Sequence, residues 1–206
     1  VGHGPHDRTS MLCIGHAAAV PAVYQLLGYP GTGKYTVAKA IVEHLQARGE
    51  PAALLDNHAT ASLIWSLVEP HRMFEPEVMA RMNELRRIIV ETARDFAGPN
   101  HSIVFTNFVP SQTPGSVLDP HRDLAVHLDR PLVAVVLRCD TEEVLRRVPN
   151  AERAARHKLV NADIARKVMG RGMSLPDWAE LVDLDTTGLT AEETAARIVA
   201  MADARS

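Results

Sequence analysis

The sequence has few cysteines, no excess of basic residues and no long apolar run, and each of these absences excludes a class of protein. Its two cysteines, Cys13 and Cys139, lie far apart and belong to no CxxC or Cys/His pattern, so neither a disulfide framework nor a zinc site is indicated. A formal net charge of -3 gives no electrostatic reason to expect nucleic acid or an anionic membrane as a partner. No apolar run approaches the roughly 18 residues that span a bilayer. We therefore expect a cytoplasmic protein, monomeric or homodimeric, that binds a small ligand.

Length and composition favour a single domain. With 206 residues, 46% of them apolar, the chain can bury one substantial core but is short for two domains. The apolar stretch MLCIGHAAAVPAV (11–23) lacks the basic n-region of a signal peptide. We expect residues 1–20 to be a flexible lead-in and residues 21–206 to form the domain.

Short apolar runs alternate with helical patterns along the chain. Five runs are strand candidates: 23–28, 51–58, 102–108, 131–139 and 180–185. Apolar residues recur at helical spacing after Lys34 and from Pro76 to Phe96. Asp140 and Thr190 each precede a glutamate by three residues, which is the capping-box signature of a helix start. The alternation predicts an α/β domain of three layers around a parallel five-stranded sheet.

Residues 28–36, GYPGTGKYT, match the pattern G-x-x-x-x-G-K between the first predicted strand and the first predicted helix. Glycines let successive backbone N–H groups turn toward phosphate oxygens, and the helix N-terminus adds partial positive charge. Lys34 would then reach the β- and γ-phosphates of a nucleotide. The alternative is a glycine-rich turn with an exposed lysine, but the position between strand and helix favours nucleotide binding.

Tyr35 is unusual in this loop, because a serine or threonine commonly follows the lysine and offers its hydroxyl oxygen to Mg²⁺. A tyrosine at that position cannot easily do so. Thr36, one residue further on, is still placed to contact a phosphate.

With Tyr35 after its lysine, the loop resembles that of P-loop small-molecule and nucleoside-monophosphate kinases, which often reads G-x-P-G-x-G-K-x-T. The segments CDTEEVLRR (139–147), ERAARHK (152–158) and LDTTGLTAEETAARI (184–198) also resemble parts of shikimate-, gluconate- and antibiotic-kinase-like proteins, namely the fourth strand, the lid and the fifth strand. The resemblance implies a P-loop NTPase fold with strand order 2-3-1-4-5, and ATP and Mg²⁺ as cofactors. It also implies an acceptor-side insertion at 59–96 and a small lid at 146–170.

The same resemblance implies a set of site residues. Phosphate and nucleotide contacts fall on Gly28, Gly31, Thr32, Gly33, Lys34, Tyr35, Thr36, Arg146, Arg153 and Thr187. Catalysis falls on Lys34, Asp56 and Arg153, and metal binding on Thr36 and Asp56. A run of basic residues is often only a solvated face, so the arginines of the lid stay open individually, with Arg153 as the first choice.

Polar residues at strand ends supply the acceptor side. Asp56 closes the second predicted strand, and ligands of an open parallel sheet bind outside the carboxyl ends of its strands, so Asp56 should face the same crevice as Lys34. It could orient an acceptor hydroxyl or bind the metal, or it could simply cap a turn or helix. His58 and Asn107 are further candidates for contact with the acceptor or the γ-phosphate, although each could be an ordinary strand-end polar residue.

Arg81 and Arg86 flank the apolar stripe of the long helix predicted at 76–96. Either could point into a pocket beside the sheet and bind an anionic acceptor. Both could equally extend along the helix surface.

We predict ATP-dependent phosphoryl transfer to a hydroxyl group of a small molecule. Nucleoside-monophosphate kinases typically carry an acidic residue and a glycine just after the third strand, whereas this chain has FTNF (105–108), which disfavours that branch. A nucleotide-binding regulatory module or slow NTPase without an acceptor is the other alternative.

Overall fold

The computed structural model describes residues 20–149 and 158–205. The strands are β1 (Val23–Leu27), β2 (Ala52–Asp56), β3 (Ser102–Asn107), β4 (Leu132–Arg138) and β5 (Leu181–Asp185). The helices are α1 (Lys34–Ala47), α2 (Asn57–Trp65), α3 (Pro76–Phe96), α4 (Asp119–His127), α5 (Thr141–Arg147), α6 (Ala162–Gly170) and α7 (Ala191–Asp203). Short 3₁₀ turns lie at Pro70–Arg72 and Gly115–Leu118.

All five strands run parallel in one sheet with the order β2-β3-β1-β4-β5, so the predicted fold class and strand order are confirmed. The register aligns Asp56 with Thr106 and Leu27 with Asn107. The ends of β1, β2 and β3 therefore meet at one edge of the sheet, where ligands of such sheets bind.

Helices cover both faces of the sheet, which is why the central strands are largely apolar. Along β1, Tyr24 and Leu26 pack with α1 and α7 on one face, and Val23 and Leu27 pack on the other. Gln25 is the polar exception in this strand and is fully buried. Burial raises the pKa of the Tyr24 hydroxyl, assisted by the negative charges of Asp203 and Glu50.

Three helices, α2, α4 and α6, were not expected from the sequence. The strand predicted at 51–58 ends at Asp56, because Asn57 already belongs to α2 and the Asp56 side chain caps that helix. The second is α4, nine residues long, which carries His121. Among the described residues, none of the helices is long and apolar enough to cross a membrane.

The two predicted capping boxes differ in outcome. Thr190 and Glu193 form the reciprocal pair of hydrogen bonds, as predicted. At α5, Asp140 accepts hydrogen bonds from two backbone N–H groups, but the Glu143 side chain turns instead to Arg146 and Arg147. The box at Asp140 is therefore only half formed, because two neighbouring guanidinium groups compete for the glutamate.

Candidate active site

The loop between β1 and α1 depends on glycines at two points. Gly28 and Gly31 have φ angles of 150° and 99°. A Cβ at Gly28 would lie 2.7 Å from Thr32 Oγ1 and 2.9 Å from the Leu137 carbonyl oxygen, and one at Gly31 would lie 2.8 Å from Val144 Cγ1. The loop can therefore curl tightly at the start of α1 only because these side chains are missing.

The Lys34 ammonium group lies over this loop. Its Nζ donates hydrogen bonds to the carbonyl oxygens of Gly28 at 2.6 Å and Tyr29 at 2.7 Å. The Thr32 hydroxyl also donates to the Tyr29 oxygen, at 3.0 Å. The N-cap of α1, Gly33, offers no side chain to the helix, and no acidic residue occupies the first turn. A positive charge and the positive end of a helix thus meet at one spot, which suits an anion.

A cleft of about 1780 Å³ opens beside the loop. Most of the residues predicted for the site line it: Gly31, Thr32, Gly33, Lys34, Tyr35, Thr36, Asp56, His58, Arg86 and Asn107. Gly28 does not line the cleft, but its carbonyl group accepts a hydrogen bond from Lys34. The cleft brings the predicted phosphate loop and the predicted acceptor side together.

Asp56 caps α2 and also lies at the cleft. Its Oδ1 accepts a hydrogen bond from the His58 backbone N–H at 3.3 Å, which caps α2, and another from the Thr106 hydroxyl at 2.6 Å. Its Oδ2 faces the Lys158 ammonium group at 3.5 Å. The Asp56 side chain is 11% exposed and that of Lys158 is 13% exposed. The carboxylate is therefore held in one orientation at the cleft, with a cation beside it.

Tyr35 has a partner that the loop pattern does not reveal. The Lys158 Nζ lies 4.2 Å from the centroid of the Tyr35 ring, in cation–π contact. Tyr35 thus supports the lysine that faces Asp56, and it lines the cleft with its ring. The sequence showed only that the serine or threonine hydroxyl was missing after Lys34. The one residue that could have suggested a partner for the tyrosine ring was Lys158, at the end of the basic stretch of the predicted lid.

A largely buried polar network includes Asn107. The Gln25 side chain donates to Asn107 Oδ1 at 3.0 Å and accepts from His121 Nδ1 at 2.6 Å. Because a carboxamide oxygen can only accept, the proton of this bond belongs to His121. The His121 ring stacks on Phe105, with centroids 3.9 Å apart and planes within 6°. Sequence reasoning missed this network, although a glutamine within the apolar run VYQLL was a signal of it.

Burial and, to a smaller extent, the nearby positive charge of Arg86 lower the pKa of His121 to about 4. In the unfolded chain His121 has its ordinary pKa of 6.5. Between pH 6.5 and 4 the unfolded chain therefore binds more protons than the folded chain. We expect the free energy of unfolding to decrease as the pH is lowered from 6.5 to 4. The contribution of His121 to this decrease is up to about 3 kcal/mol. Urea unfolding at successive pH values would measure the slope.

The matched variants for this pH test are His121→Gln and His127→Gln, the latter on the exposed end of the same helix. The slope between pH 6.5 and 4 should flatten in His121→Gln and stay unchanged in His127→Gln. Equal slopes for wild type and His121→Gln would contradict the buried, neutral histidine.

The two arginines predicted for the acceptor lie in different places. Arg86 lines the cleft half-buried, donates to Asn83 Oδ1 at 3.0 Å, and among the described residues its buried Nε has no hydrogen-bond partner. Burial lowers the pKa of its guanidinium group. Arg81 does not line the cleft: its side chain is 77% exposed and pairs with Glu84 at 3.0 Å. Of the two arginines, only Arg86 lies at the cleft.

The predicted lid contacts are rearranged in a similar way. Arg146 lies outside the cleft, paired with Glu143 at 2.7 Å, whereas Arg147 lines it. These arginines lower the pKa of Glu143 to about 2. The Thr187 side chain accepts from the Asp140 backbone N–H at 3.0 Å, and its neighbour Thr186 lines the cleft instead. Arg153, with 150–157, lies outside the described residues, as do residues 1–19 of the predicted lead-in.

Metal binding by protein side chains alone has no support in the part of the chain that the structure describes, where no group of three or more His, Cys, Asp or Glu residues could hold an ion. Thr36 and Asp56 nevertheless line the same cleft. Two oxygen donors suit Mg²⁺ when nucleotide phosphates and water complete its coordination shell.

A glycine loop and lysine between the central strand and first helix of a parallel 2-3-1-4-5 sheet define a P-loop nucleotide-binding domain. The chain belongs to the AAA domain family, whose model matches residues 25–166. No curated protein sequence gave a significant match.

Solved structures with a similar fold include several kinases. A Mycobacterium tuberculosis APS kinase in complex with AMPPNP and APS shares 16% identity at a TM-score of 0.61, over 91% of this chain and 99% of that one. A Sinorhizobium meliloti gluconokinase shares 17% identity at a TM-score of 0.52, over 91% and 94%. A Deinococcus radiodurans tunicamycin resistance protein shares 15% identity at a TM-score of 0.51, over 88% and 95%. The resemblance to P-loop kinases is confirmed, and at these identities it shows the fold alone.

Proposed function

We propose that the protein transfers the γ-phosphate of ATP to a hydroxyl group of a small molecule. The observation that carries this proposal is the Asp56 carboxylate, which is held at the same cleft as Lys34 and the glycine loop. Phosphoryl transfer requires chiefly that donor and acceptor are aligned and that charge on the γ-phosphate is neutralised. A carboxylate fixed at the same cleft as a phosphate loop meets the first requirement, and a lysine in the loop meets the second.

Each residue of the cleft has a part in this proposal. The loop amides and Lys34 bind the phosphates, while Asp56 accepts the proton of the acceptor hydroxyl as its oxygen attacks the γ-phosphorus and the bond to the β–γ bridging oxygen breaks. Thr106 and the His58 backbone N–H fix the carboxylate for that role. Asp56 and Thr36 would hold Mg²⁺ together with the phosphates, and the ion would supply additional neutralisation of charge.

Cations around the cleft complete the proposed site. Lys158 and Arg147 both line it, from the two sides of the segment that the structure does not describe. We propose that they neutralise charge that develops on the transferred group, together with Arg153 of the same lid. Arg86 is the proposed contact for a polar or anionic group of the acceptor.

The direct test compares ADP release by the purified protein with ATP and Mg²⁺, in the presence and absence of pooled hydroxyl-bearing metabolites and antibiotics. We expect at least one pool to stimulate ADP release well above the rate without acceptor, and a phosphorylated product to appear by mass spectrometry. Slow ATP hydrolysis that no pool stimulates would favour an NTPase instead. Stimulation by nucleoside monophosphates alone would favour a nucleoside-monophosphate kinase.

Two substitutions of Tyr35 test separately the contact of its ring with Lys158 and the absence of a serine or threonine hydroxyl that could bind Mg²⁺. Tyr35→Ser restores the commoner loop, so we expect ATP affinity to stay within about threefold of wild type while the Mg²⁺ concentration for half-maximal activity falls. Tyr35→Phe keeps the ring under Lys158 and should leave the Mg²⁺ response unchanged. Titration of activity with Mg²⁺ at saturating ATP measures both variants. A wild-type metal response no weaker than that of Tyr35→Ser would contradict a displaced metal ligand.

A further inference from the structure

Three aromatic side chains form a row along the cleft, starting beside Asp56. The rings of His58 and Trp65 meet edge to face with centroids 5.4 Å apart, and those of Trp65 and Phe74 do so at 6.0 Å. All three residues line the cleft. We call His58, Trp65 and Phe74 the aromatic row.

The row is fixed to the proposed reacting centre through α2. The His58 backbone N–H donates to Asp56 Oδ1, so the first ring lies two residues from the carboxylate. Trp65 ends the helix, and its indole N–H donates to the Met73 carbonyl oxygen at 3.2 Å, which holds the segment before Phe74 against the indole. A molecule whose hydroxyl lies at Asp56 would therefore extend along these rings.

Methionines line the cleft with the row. Met73 precedes Phe74, and Met79 and Met82 come from α3. Methionine side chains are flexible and polarisable, and they make favourable sulfur contacts with aromatic rings. Rings and thioethers together make a surface that gains from contact with a flat apolar group and offers few hydrogen bonds to a polyol.

Phe74 is the exposed end of the row, with 75% of its surface open to solvent. Phe96, at the end of α3, is as exposed at 81% but does not line the cleft. An exposed phenylalanine at the mouth of a ligand cleft is informative because an aromatic ring there contributes binding area that a polar residue would not. Phe96 therefore serves as the control, because it is an equally exposed phenylalanine that does not line the cleft.

We propose that the acceptor carries an aromatic or similarly flat apolar ring next to the hydroxyl that is phosphorylated, and that the aromatic row binds this ring. The inference rests on the proposed phosphoryl transfer, whose acceptor it narrows: it favours ring-bearing alcohols such as aryl glycosides over sugar acids and simple polyols. Trp65 and Phe74 recognise the ring, while Asp56 receives the hydroxyl group.

The test uses acceptor pairs that differ only in the ring: phenyl β-D-glucoside and 2-naphthyl β-D-glucoside against D-glucose. Affinity is measured by calorimetry with a non-hydrolysable ATP analogue present, and transfer by ADP release with ATP. We expect the aryl glucosides to bind at least about tenfold more tightly than D-glucose. Phe74→Ala should weaken their binding about tenfold with no change for D-glucose, Phe74→Tyr should retain it, and Phe96→Ala should match wild type.

Each outcome decides between the ring site and the proposed reaction. Equal affinity for aryl glucosides and D-glucose, or equal effects of Phe74→Ala and Phe96→Ala, would overturn the ring site. If phosphoryl transfer to D-glucose is as efficient as to the aryl glucosides, the protein is a kinase but the ring site is wrong. Ring-dependent binding without any stimulated ADP release would support the ring site and contradict the kinase. If Phe74→Ala instead converts a dimer into a monomer by light scattering, with unchanged aryl affinity, a second copy covers Phe74 and the inference is wrong.

Discussion

Lys34→Ala is expected to weaken ATP binding by about 10- to 100-fold and to remove most turnover. The estimate follows from a charge-assisted hydrogen bond to phosphate, about 1.5–3 kcal/mol. In the structure the ammonium group donates to the loop carbonyl oxygens of Gly28 and Tyr29 at the edge of the cleft, so a small movement would bring it to a bound phosphate. Because the side chain is only partly buried, the fold should survive its loss. Calorimetry with ATP measures the affinity, and circular dichroism the fold.

Lys39→Ala is the matched control for that measurement. Lys39 lies on the same helix with 61% of its side chain exposed, pairs with Glu43 at 3.4 Å, and does not line the cleft. Its loss should leave ATP affinity and turnover unchanged. Unchanged affinity and turnover in Lys34→Ala as well would show that the glycine loop is an ordinary strand-to-helix turn.

The sheet and the loop could be predicted because their signals are local. Buried parallel strands are continuous apolar runs, and the loop is defined by glycine and lysine spacing within nine residues. The bounds of α3, Pro76 and Phe96, were also predicted, since a proline fits the first turn and GPN breaks the chain after it. Strand order came from the resemblance and agrees with the observed sheet.

Helix α2 was missed because its sequence, NHATASLIW, has no clear apolar period, and its start coincides with the end of a strand. The Asp56 carboxylate there serves both as helix cap and as a cleft residue. A sequence argument weighs a helix cap against a place in the ligand site, whereas in the structure Oδ1 caps α2 and Oδ2 faces Lys158 at the cleft.

Contacts between distant segments could not be derived from patterns. Arg81 and Arg86 are five positions apart, so their side chains leave the helix about 140° apart, and only one of them can face the cleft. Periodicity alone does not say which one, because that depends on how α3 is rotated against the sheet. The same holds for Arg146 and its neighbour Arg147 on α5, and for the contact between Tyr35 and Lys158.

Asp56→Asn should lower kcat by about 10²–10⁴-fold, the range typical of a general base, while weakening ATP binding far less. The amide keeps the size of the side chain and an oxygen that can accept from the Thr106 hydroxyl and from the His58 backbone N–H. Asparagine is also as good a helix N-cap as aspartate, so α2 should persist. What is lost is the charge that attracts the acceptor proton, Mg²⁺ and Lys158, and this charge acts mainly in the transition state. Steady-state kinetics with the acceptor found in the pooled assay, together with calorimetry for ATP, would separate the two effects.

Asp140→Asn provides the same substitution in the same structural role. Asp140 caps α5 through the backbone N–H groups of Glu142 and Glu143, but it does not line the cleft. The kcat of the Asp140→Asn variant should equal that of wild type, which would exclude a general effect of aspartate-to-asparagine changes at helix caps.

Thr106→Val removes the 2.6 Å hydrogen bond that fixes the Asp56 carboxylate and should lower kcat to a smaller extent, with ATP affinity retained. If Asp56→Asn keeps full transferase activity, the carboxylate is a helix cap alone, and the proton of the acceptor must be taken by another group.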